Sequence, residues 1–245
     1  MTYCVALDVK DGLVMLSDTR TNAGIDNIST FGKMHLFEAA GDRVIALLTA
    51  GNLAISQGVV NLLNEGIEGA DGTVETLYTV TSMFRAAQLV GEAVRRIYAI
   101  DGPAMREQNV SFELSILLGG QLRNRALRLF QIYSAGNFIE ATPDTPFLQI
   151  GEHKYGKPIL DRAARFDTEL YDGVKLLLIS MDSTLRSNLT VGMPADLLVY
   201  RRDTLAIELR RRITEEDPYF RMIRDRWSEA LREAYRAIPR PDWAV

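Results

Sequence analysis

The chain opens with two short, mainly apolar runs separated by a turn signal. Residues 3–9 and 13–16 form the runs, and Lys10-Asp11-Gly12 lies between them. Asp-Gly between two apolar runs is typical of a β-hairpin. Because side chains alternate along a strand, one face of the first strand carries its even-numbered residues. These residues are Thr2, Cys4, Ala6 and Asp8. We therefore predict an N-terminal hairpin in which Thr2 shares its face with small side chains.

The next segment changes from a polar loop to strands and then to helices. Residues 19–31 are rich in Thr, Asn, Gly, Asp and Ser, which indicates a loop. Residues 33–37 and 44–48 are predicted strands. Apolar residues then recur at three- and four-residue steps, which predicts one helix from Leu53 to about Ile67 and a longer one over 73–98.

The second half of the chain repeats this order. The predicted strands and helices follow as strands 111–118, 127–134 and 146–151, helices 157–165 and 168–181, and strands 195–200 and 204–209. Two groups of strands, each followed by a helix pair, favour two packed sheets covered by helices. We predict an α+β fold, a four-layer αββα sandwich of two mainly antiparallel sheets.

A last amphipathic helix is predicted over 217–238. Its apolar stripe consists of Phe220, Ile223, Trp227, Leu231 and Ala234. Such a stripe is compatible both with packing on the helix's own domain and with a contact between subunits. No repeat or linker divides the chain, so we expect a single domain over 1–245, with a core at 2–212 and a C-terminal helical extension at 213–245.

Composition narrows the class of protein. The 245 residues are 47% hydrophobic, enough for a full core, and the net charge of −4 with dispersed cations gives no nucleic-acid footprint. The single cysteine excludes an internal disulfide and a zinc or redox C-x-x-C pair. We find no signal peptide or membrane-spanning apolar run. A soluble cytoplasmic protein that binds neither nucleic acid nor membrane is expected.

The dipeptide Met1-Thr2 carries the strongest chemical signal. Removal of Met1 would leave Thr2 at the N-terminus, where its hydroxyl can act as a nucleophile and its own α-amine as the base. The reference pKa of an α-amine, about 7.7–8.0, suits a base that works near neutral pH. Asp18 follows the second predicted strand, and Lys33 stands in a region poor in cations.

Other catalytic groups are less well supported by the sequence. The sequence contains no G-x-S-x-G motif that would present a serine to His35 or His153 in a Ser-His-Asp triad. We interpret His35 as a structural residue and His153 as a surface residue. Cys4 lies inside a strand without an evident base, which favours a buried core position. Asp8 and Asp18 are a pair of carboxylates, but glycosidase chemistry depends on the distance between such a pair, and the sequence does not predict that distance. No phosphate-binding glycine motif follows a strand.

Five features together carry a family resemblance: Thr2, Asp18, Arg20, Lys33 and the Thr49-Ala50-Gly51 turn that leads into a helix. With them the sequence resembles the proteasome β-subunit family of N-terminal-nucleophile hydrolases, and within it the bacterial Anbu branch. The resemblance covers about residues 2–200. It implies the αββα sandwich already predicted from periodicity, and it implies no metal or organic cofactor.

The resemblance also implies roles for these residues. Thr2 matches the nucleophile, Lys33 the neighbouring lysine, and Asp18 the carboxylate that orients this lysine. Gly51 matches the residue whose N–H forms the oxyanion hole, and Arg20 matches a supporting arginine. A cation disfavours the protonated form of a nearby amine, and a carboxylate can hold that cation through a charge-assisted hydrogen bond.

Further positions are implied by the same resemblance. Asp182 and Ser187 resemble a late Asp…Ser pair near the nucleophile, although they stand five residues apart, which is wider than the family's usual spacing. Thr21 and Thr49 match residues that border the substrate pocket. Residues 151–156 contain no serine, where the family often has one among glycines.

The resemblance implies a threonine-type endopeptidase that cleaves peptides or unfolded proteins. It further implies a self-assembled homo-oligomer, either a ring or an open spiral, together with a regulator that the sequence does not identify. Two alternatives stay open at this point. One is an N-terminal-nucleophile amidohydrolase that acts on small amides, and the other is an inactive assembly protein of the same fold.

Overall fold

The computed structural model describes residues 2–22, 28–69 and 72–243. The predicted Met1-Thr2 cleavage point involves Met1, which lies outside these residues. The strands are β1 (Tyr3–Val9), β2 (Gly12–Asp18), β3 (Arg20–Asn22), β4 (Ile28–Thr30), β5 (Met34–Ala39), β6 (Arg43–Gly51), β7 (Ile67–Glu68), β8 (Val74–Glu75), β9 (Leu114–Leu122), β10 (Arg128–Tyr133), β11 (Phe138–Glu140), β12 (Phe147–Gly151), β13 (Ala195–Arg201) and β14 (Ile207–Ile213). The helices are α1 (Leu53–Glu65), α2 (Met83–Glu107), α3 (Lys157–Ala163), α4 (Leu170–Ser187) and α5 (Pro218–Ala237).

The predicted N-terminal hairpin lies at the centre of the first sheet. β1 and β2 pair antiparallel around the turn at Lys10-Asp11, and the strand order of the sheet is β12-β1-β2-β13-β14. Tyr3 lies opposite Gly151 of β12, and Asp18 lies opposite Ala195 of β13. The start of β1 is therefore flanked by β2, its hairpin partner, and by β12 from the later part of the chain.

The second sheet has the order β11-β10-β9-β6-β5, and its pairs are antiparallel. The two sheets enclose an apolar layer to which β1 contributes Cys4 and Ala6. The predicted alternation in β1 is thus confirmed, and the small even-numbered residues face the opposite sheet. Tyr3, Val5 and Leu7 point the other way, toward helices.

Helices cover the outer face of each sheet. α1 and α2 pack over the second sheet around Ile55, Val59 and Val90, and α3 and α4 pack over the first around Leu160 and Leu177. Each outer core combines helix and strand residues that are almost fully buried. This confirms the predicted α+β, four-layer αββα sandwich of two mainly antiparallel sheets.

Several predicted boundaries were wrong. The helix predicted over 73–98 begins at Met83, because Ser82 caps it and residues 74–75 pair with β7 instead. The same helix continues to Glu107 through an internal Pro103. The predicted loop at 19–31 contains the short strands β3 and β4 within its described part.

Other boundaries differ by shorter distances. The helix predicted over 168–181 begins at Leu170 and reaches Ser187, and the last strand lies at Ile207–Ile213 rather than at 204–209. β11 was not predicted.

The C-terminal helix α5 packs against its own domain along only part of its length. Phe220 and Ile223 are buried in the core shared with α4, whereas Leu231 and Tyr235 in the second half are exposed. Among the described residues, no helix is both long and apolar enough to cross a membrane.

Candidate active site

A cavity of about 420 Å³ lies where the ends of β1, β6 and β12 meet. We call it the threonine cleft. Its lining residues come from both sheets and from the start of α1: Thr2, Thr21, Lys33, Thr49, Ala50, Gly51, Leu53, Ser56, Glu113 and Gly151. The structure therefore brings together five of the residues predicted from the sequence, which are Thr2, Thr21, Lys33, Thr49 and Gly51.

The main chain of Thr2 is held by the end of β12. The Thr2 carbonyl oxygen accepts a hydrogen bond from the Glu152 N–H at 2.6 Å. Gly151 has φ 79°, and a Cβ atom at this position would collide with the Thr2 carbonyl group. A glycine is required here, because the two chain segments approach so closely.

Asp18 and Lys33 form a buried ion pair at the base of the site. Lys33 Nζ donates to Asp18 Oδ1 at 2.5 Å and to the carbonyl oxygen of Arg20 at 2.7 Å. The N–H of Tyr3 donates to the same Asp18 oxygen at 2.9 Å, and the N–H of Gly192 lies 3.4 Å from Asp18 Oδ2. This network fixes the lysine beside the cleft.

Two opposing effects act on the Asp18 carboxyl. Burial raises the pKa of Asp18, because the low-dielectric interior disfavours its charged form. The Lys33 ammonium and the two backbone N–H groups lower the pKa of the carboxyl, because they stabilise that charge. Because Asp18 is fully buried, water does not stabilise its negative charge, and the Lys33 ammonium does so instead.

Gly51 ends β6 in a backbone conformation that favours glycine. Its φ is 113°, and a Cβ atom would collide with the carbonyl group of Glu113 on the neighbouring chain segment. The next residue, Asn52, caps α1 by accepting hydrogen bonds from the N–H groups of Ala54 and Ile55. The strand therefore turns into the helix directly at the cleft.

Cys4 lies behind the cleft as a core residue, which agrees with the prediction from the sequence. Its side chain is fully buried, and Sγ is 3.6 Å from the carbonyl oxygen of Thr49. Burial raises the pKa of the Cys4 thiol, so the uncharged thiol predominates. His153 is exposed, as predicted.

Asp18 lies beneath the threonine cleft, where it binds Lys33, and three further predicted site residues do not line the cleft. The Arg20 guanidinium donates to the carbonyl oxygen of Leu189 at 3.0 Å, and only the Arg20 backbone contacts Lys33. Ser187 is exposed at the end of α4.

Asp182, the third of these residues, is buried in α4. It accepts hydrogen bonds from Arg224 at 3.0 Å and Arg186 at 3.2 Å. Since these arginines occupy the Asp182 carboxylate, the structure does not bring the Asp182–Ser187 pair to Thr2.

From the late part of the chain, the N–H of Glu152 binds Thr2, and the Glu152 side chain is in turn held by Asn188. Both are buried, and Glu152 Oε2 accepts a hydrogen bond from Asn188 Nδ2 at 2.8 Å. Glu152 Oε1 accepts from the Lys154 N–H at 2.9 Å, and Asn188 Oδ1 accepts from the N–H of Thr190 at 2.9 Å. Sequence reasoning missed this pair, because nothing in the spacing of the residues links position 152 to position 188.

The arrangement suits attack on a carbonyl carbon. The cleft places a threonine hydroxyl, a lysine held by a buried carboxylate and a glycine turn around one space that can receive a substrate. Within the described residues, no group of three or more His, Cys, Asp or Glu side chains is placed to hold a metal ion.

Comparison with known proteins gives structural relatives over the whole chain. No protein-family model and no curated protein matches it. An Anbu Gly-1 mutant from Hyphomicrobium sp. strain MC1 is 52% identical at a TM-score of 0.90, with 99% of this chain and 100% of that chain covered. Anbu, described as an ancestral β-subunit, from Yersinia bercovieri is 48% identical at a TM-score of 0.89, with coverage of 99% and 100%.

A third relative is the Anbu complex from Pseudomonas aeruginosa, which was solved as a helical assembly. It is 49% identical at a TM-score of 0.91, and 98% of each chain is covered. Near-complete coverage at about half identity, with the same fold throughout, confirms the resemblance found over residues 2–200. The chain belongs to the Anbu family, the bacterial proteasome-like branch of ancestral β-subunits.

Proposed function

We propose that this chain is a proteasome-type threonine peptidase whose nucleophile is Thr2 after removal of Met1. The observation that carries the proposal is the convergence of Thr2, Lys33 and Gly51 on one cleft, with Asp18 bound to Lys33 at 2.5 Å. Membership of a proteasome-like family supports the same reaction class.

The reaction follows from these positions. The Thr2 hydroxyl oxygen attacks the scissile carbonyl carbon, and its proton passes to the free α-amine of Thr2. The Gly51 N–H donates to the oxyanion that forms, an interaction whose loss typically costs about 2.7–4 kcal/mol. The protonated amine then gives its proton to the leaving nitrogen, and an ester of Thr2 remains. Water, activated by the same amine, hydrolyses the ester and releases the acid.

Lys33 and Asp18 influence these reaction steps through their charges. The ammonium beside the amine disfavours its protonated form and so keeps it a usable base. Asp18 holds the ammonium in place by a charge-assisted hydrogen bond. Thr21 and Thr49 border the space for the substrate, and we propose that the backbone of Arg20 positions Lys33.

Self-assembly is part of the proposal. The relative from Pseudomonas aeruginosa forms a helical assembly, which supports a homo-oligomer of the spiral kind for this chain. We further propose residues 2–212 as the catalytic core, residues 213–245 as an extension, and the cytoplasm as the location, where the free Cys4 would stay reduced.

Hydrolysis of fluorogenic peptides by the assembled protein tests the proposal, with intact mass to show whether Met1 is absent. Thr2→Ser should retain part of the activity because it keeps a hydroxyl nucleophile, and Thr2→Ala should abolish it. Cleavage of small amides without cleavage of peptides would favour the amidohydrolase. Peptide hydrolysis that survives in Thr2→Ala, or Met1 retained in the native protein, would overturn the peptidase.

A further inference from the structure

Glu113 is fixed at the mouth of the threonine cleft. It lies directly before β9, where Leu114 pairs with Gly51. Its carbonyl oxygen accepts the N–H of Asn52 at 2.8 Å. These main-chain contacts place Glu113 beside the proposed oxyanion donor.

Glu113 lines the cleft at the end of the second sheet. Leu114 and Ile116 pack toward α1 and α2, whereas Leu117 lies in the core between the sheets. Glu113 itself precedes β9, in a turn where its N–H donates to the Ser111 carbonyl oxygen at 3.1 Å. Its carboxylate is exposed and accepts a hydrogen bond from the Ser111 hydroxyl at 2.9 Å.

The charge of Glu113 is not balanced, in contrast to that of Lys33. Lys33 and Glu113 are the charged members of the cleft lining given above. The Lys33 ammonium has a carboxylate partner in Asp18 at 2.5 Å. Among the residues that the structure describes, Glu113 forms no ion pair. The cleft therefore presents one uncompensated negative charge to a bound substrate.

We propose that Glu113 is a specificity-determining residue that selects substrates with a lysine or arginine side chain close to the scissile bond. A cation gains attraction at this position, and an acidic side chain meets a like charge. The hydroxyl oxygens of Thr49 and Ser56, also in the lining, can accept hydrogen bonds from a guanidinium group. This inference rests on the proposed peptidase function.

The test uses one series of irreversible peptide electrophiles that differ only in one side chain. Arginine, glutamine and glutamate are placed in turn at each of the three residues before the electrophile. The rate of adduct formation on Thr2 is then measured by mass spectrometry with the assembled, Met1-free protein. For at least one position we expect the arginine peptide to react about two- to fivefold faster than the glutamine peptide at low salt, and the glutamate peptide to react slowest.

Matched variants separate charge from shape. Glu113→Gln should bring the arginine-to-glutamine ratio to about 1, and Glu113→Lys should make the glutamate peptide the fastest. The control Glu107→Gln changes an exposed acid at the end of α2, outside the cleft lining, and should keep the wild-type ratio. Raising the salt concentration should reduce the wild-type preference, because salt screens exposed charges.

The outcomes distinguish this inference from the proposed function. Adducts on Thr2 without a charge preference at any position, or a preference that persists in Glu113→Gln, would overturn the role of Glu113 and leave the peptidase standing. No adduct on Thr2 with any peptide would overturn both. The melting temperature of each variant is measured, and only variants whose melting temperature equals that of wild type are compared. A folding defect is then not taken for a change in selectivity.

Discussion

Exchanging the hydrogen-bonding groups of Glu152 and Asn188 tests how Thr2 is held. In the structure the Glu152 carboxylate accepts from the Asn188 amide at 2.8 Å, and the Glu152 N–H holds the Thr2 carbonyl at 2.6 Å. The Glu152 carboxylate accepts from two donors, the Lys154 N–H and the Asn188 amide. Glu152→Gln replaces one of the two accepting oxygens with an N–H₂ group, so one of these donors loses its acceptor. Asn188→Asp instead sets two buried carboxylates against each other. The double variant restores one donor and one acceptor with the same number of heavy atoms.

The burial of both side chains sets the magnitude. Glu152 and Asn188 are 5% and 7% exposed, so a lost partner is not replaced by water. We expect Glu152→Gln to lower the free energy of unfolding by about 1–3 kcal/mol. Asn188→Asp should cost at least as much, because like charges in the interior add to the loss. The two single losses add to at least about 2 kcal/mol, and the double variant should lie within about 1 kcal/mol of wild type. The coupling between the two positions should therefore be at least about 1 kcal/mol.

Urea unfolding of the four proteins near neutral pH measures this coupling, and the rate of Thr2 labelling by a peptide electrophile gives a second readout. Labelling should slow in each single variant and recover in the double variant, because the Thr2 backbone is again held in place. Ser187→Ala serves as the control and should change neither quantity, since Ser187 is exposed at the end of α4. Additive single effects, with no recovery in the double variant, would refute the reasoning.

Three further predictions concern the ion pair, the glycine turn and a buried acid. Lys33→Met should lower the free energy of unfolding by about 3–5 kcal/mol, measured in urea, because Asp18 would stay buried without its cation; a loss below about 1 kcal/mol would argue against a charged Asp18. Gly51→Ala should lower the melting temperature by several degrees, because φ 113° and a nearby carbonyl group exclude a methyl group; an unchanged melting temperature would contradict this. Burial raises the pKa of Asp8 to about 6 despite the ion pair with Arg202 at 2.9 Å. Asp8 therefore favours folding below about pH 4 and loses this contribution as the pH rises through 6. Between pH 4 and 7 the free energy of unfolding of Asp8→Asn, measured in urea, should rise relative to that of wild type by on the order of 1–2 kcal/mol. Parallel pH profiles of the two proteins would contradict this.

The N-terminal part of the fold is predictable because local signals decide it. Asp11-Gly12 between apolar runs predicts the β1–β2 hairpin, and strict alternation predicts which residues of β1 share a face. The α2 boundary was predicted wrongly, because residues 74–75 pair with residues six and eight positions earlier in the chain. Apolar periodicity does not reveal such a pairing.

The site could be predicted only where its residues are close in sequence to a motif. Thr2, Lys33 and Gly51 follow from the first 55 residues, and the structure places all three in one cleft. The support of Thr2 by Glu152 could not be predicted, because it depends on the pairing of β1 with β12, which lies far away in the chain. Asp182 carries the expected residue type, but Arg224 from α5 binds its carboxylate, and that long-range contact leaves no mark in the spacing.

The most direct test of the account is to locate a covalent adduct on the native, assembled protein. A peptide electrophile selective for an N-terminal threonine is incubated with the Met1-free protein, and the modified residue is identified by peptide mass spectrometry. The account predicts one adduct per chain, on Thr2, that bridges its hydroxyl and α-amine and is absent from Thr2→Ala. An unmodified Thr2 in an assembled and processed sample, or an adduct on another residue, would contradict it.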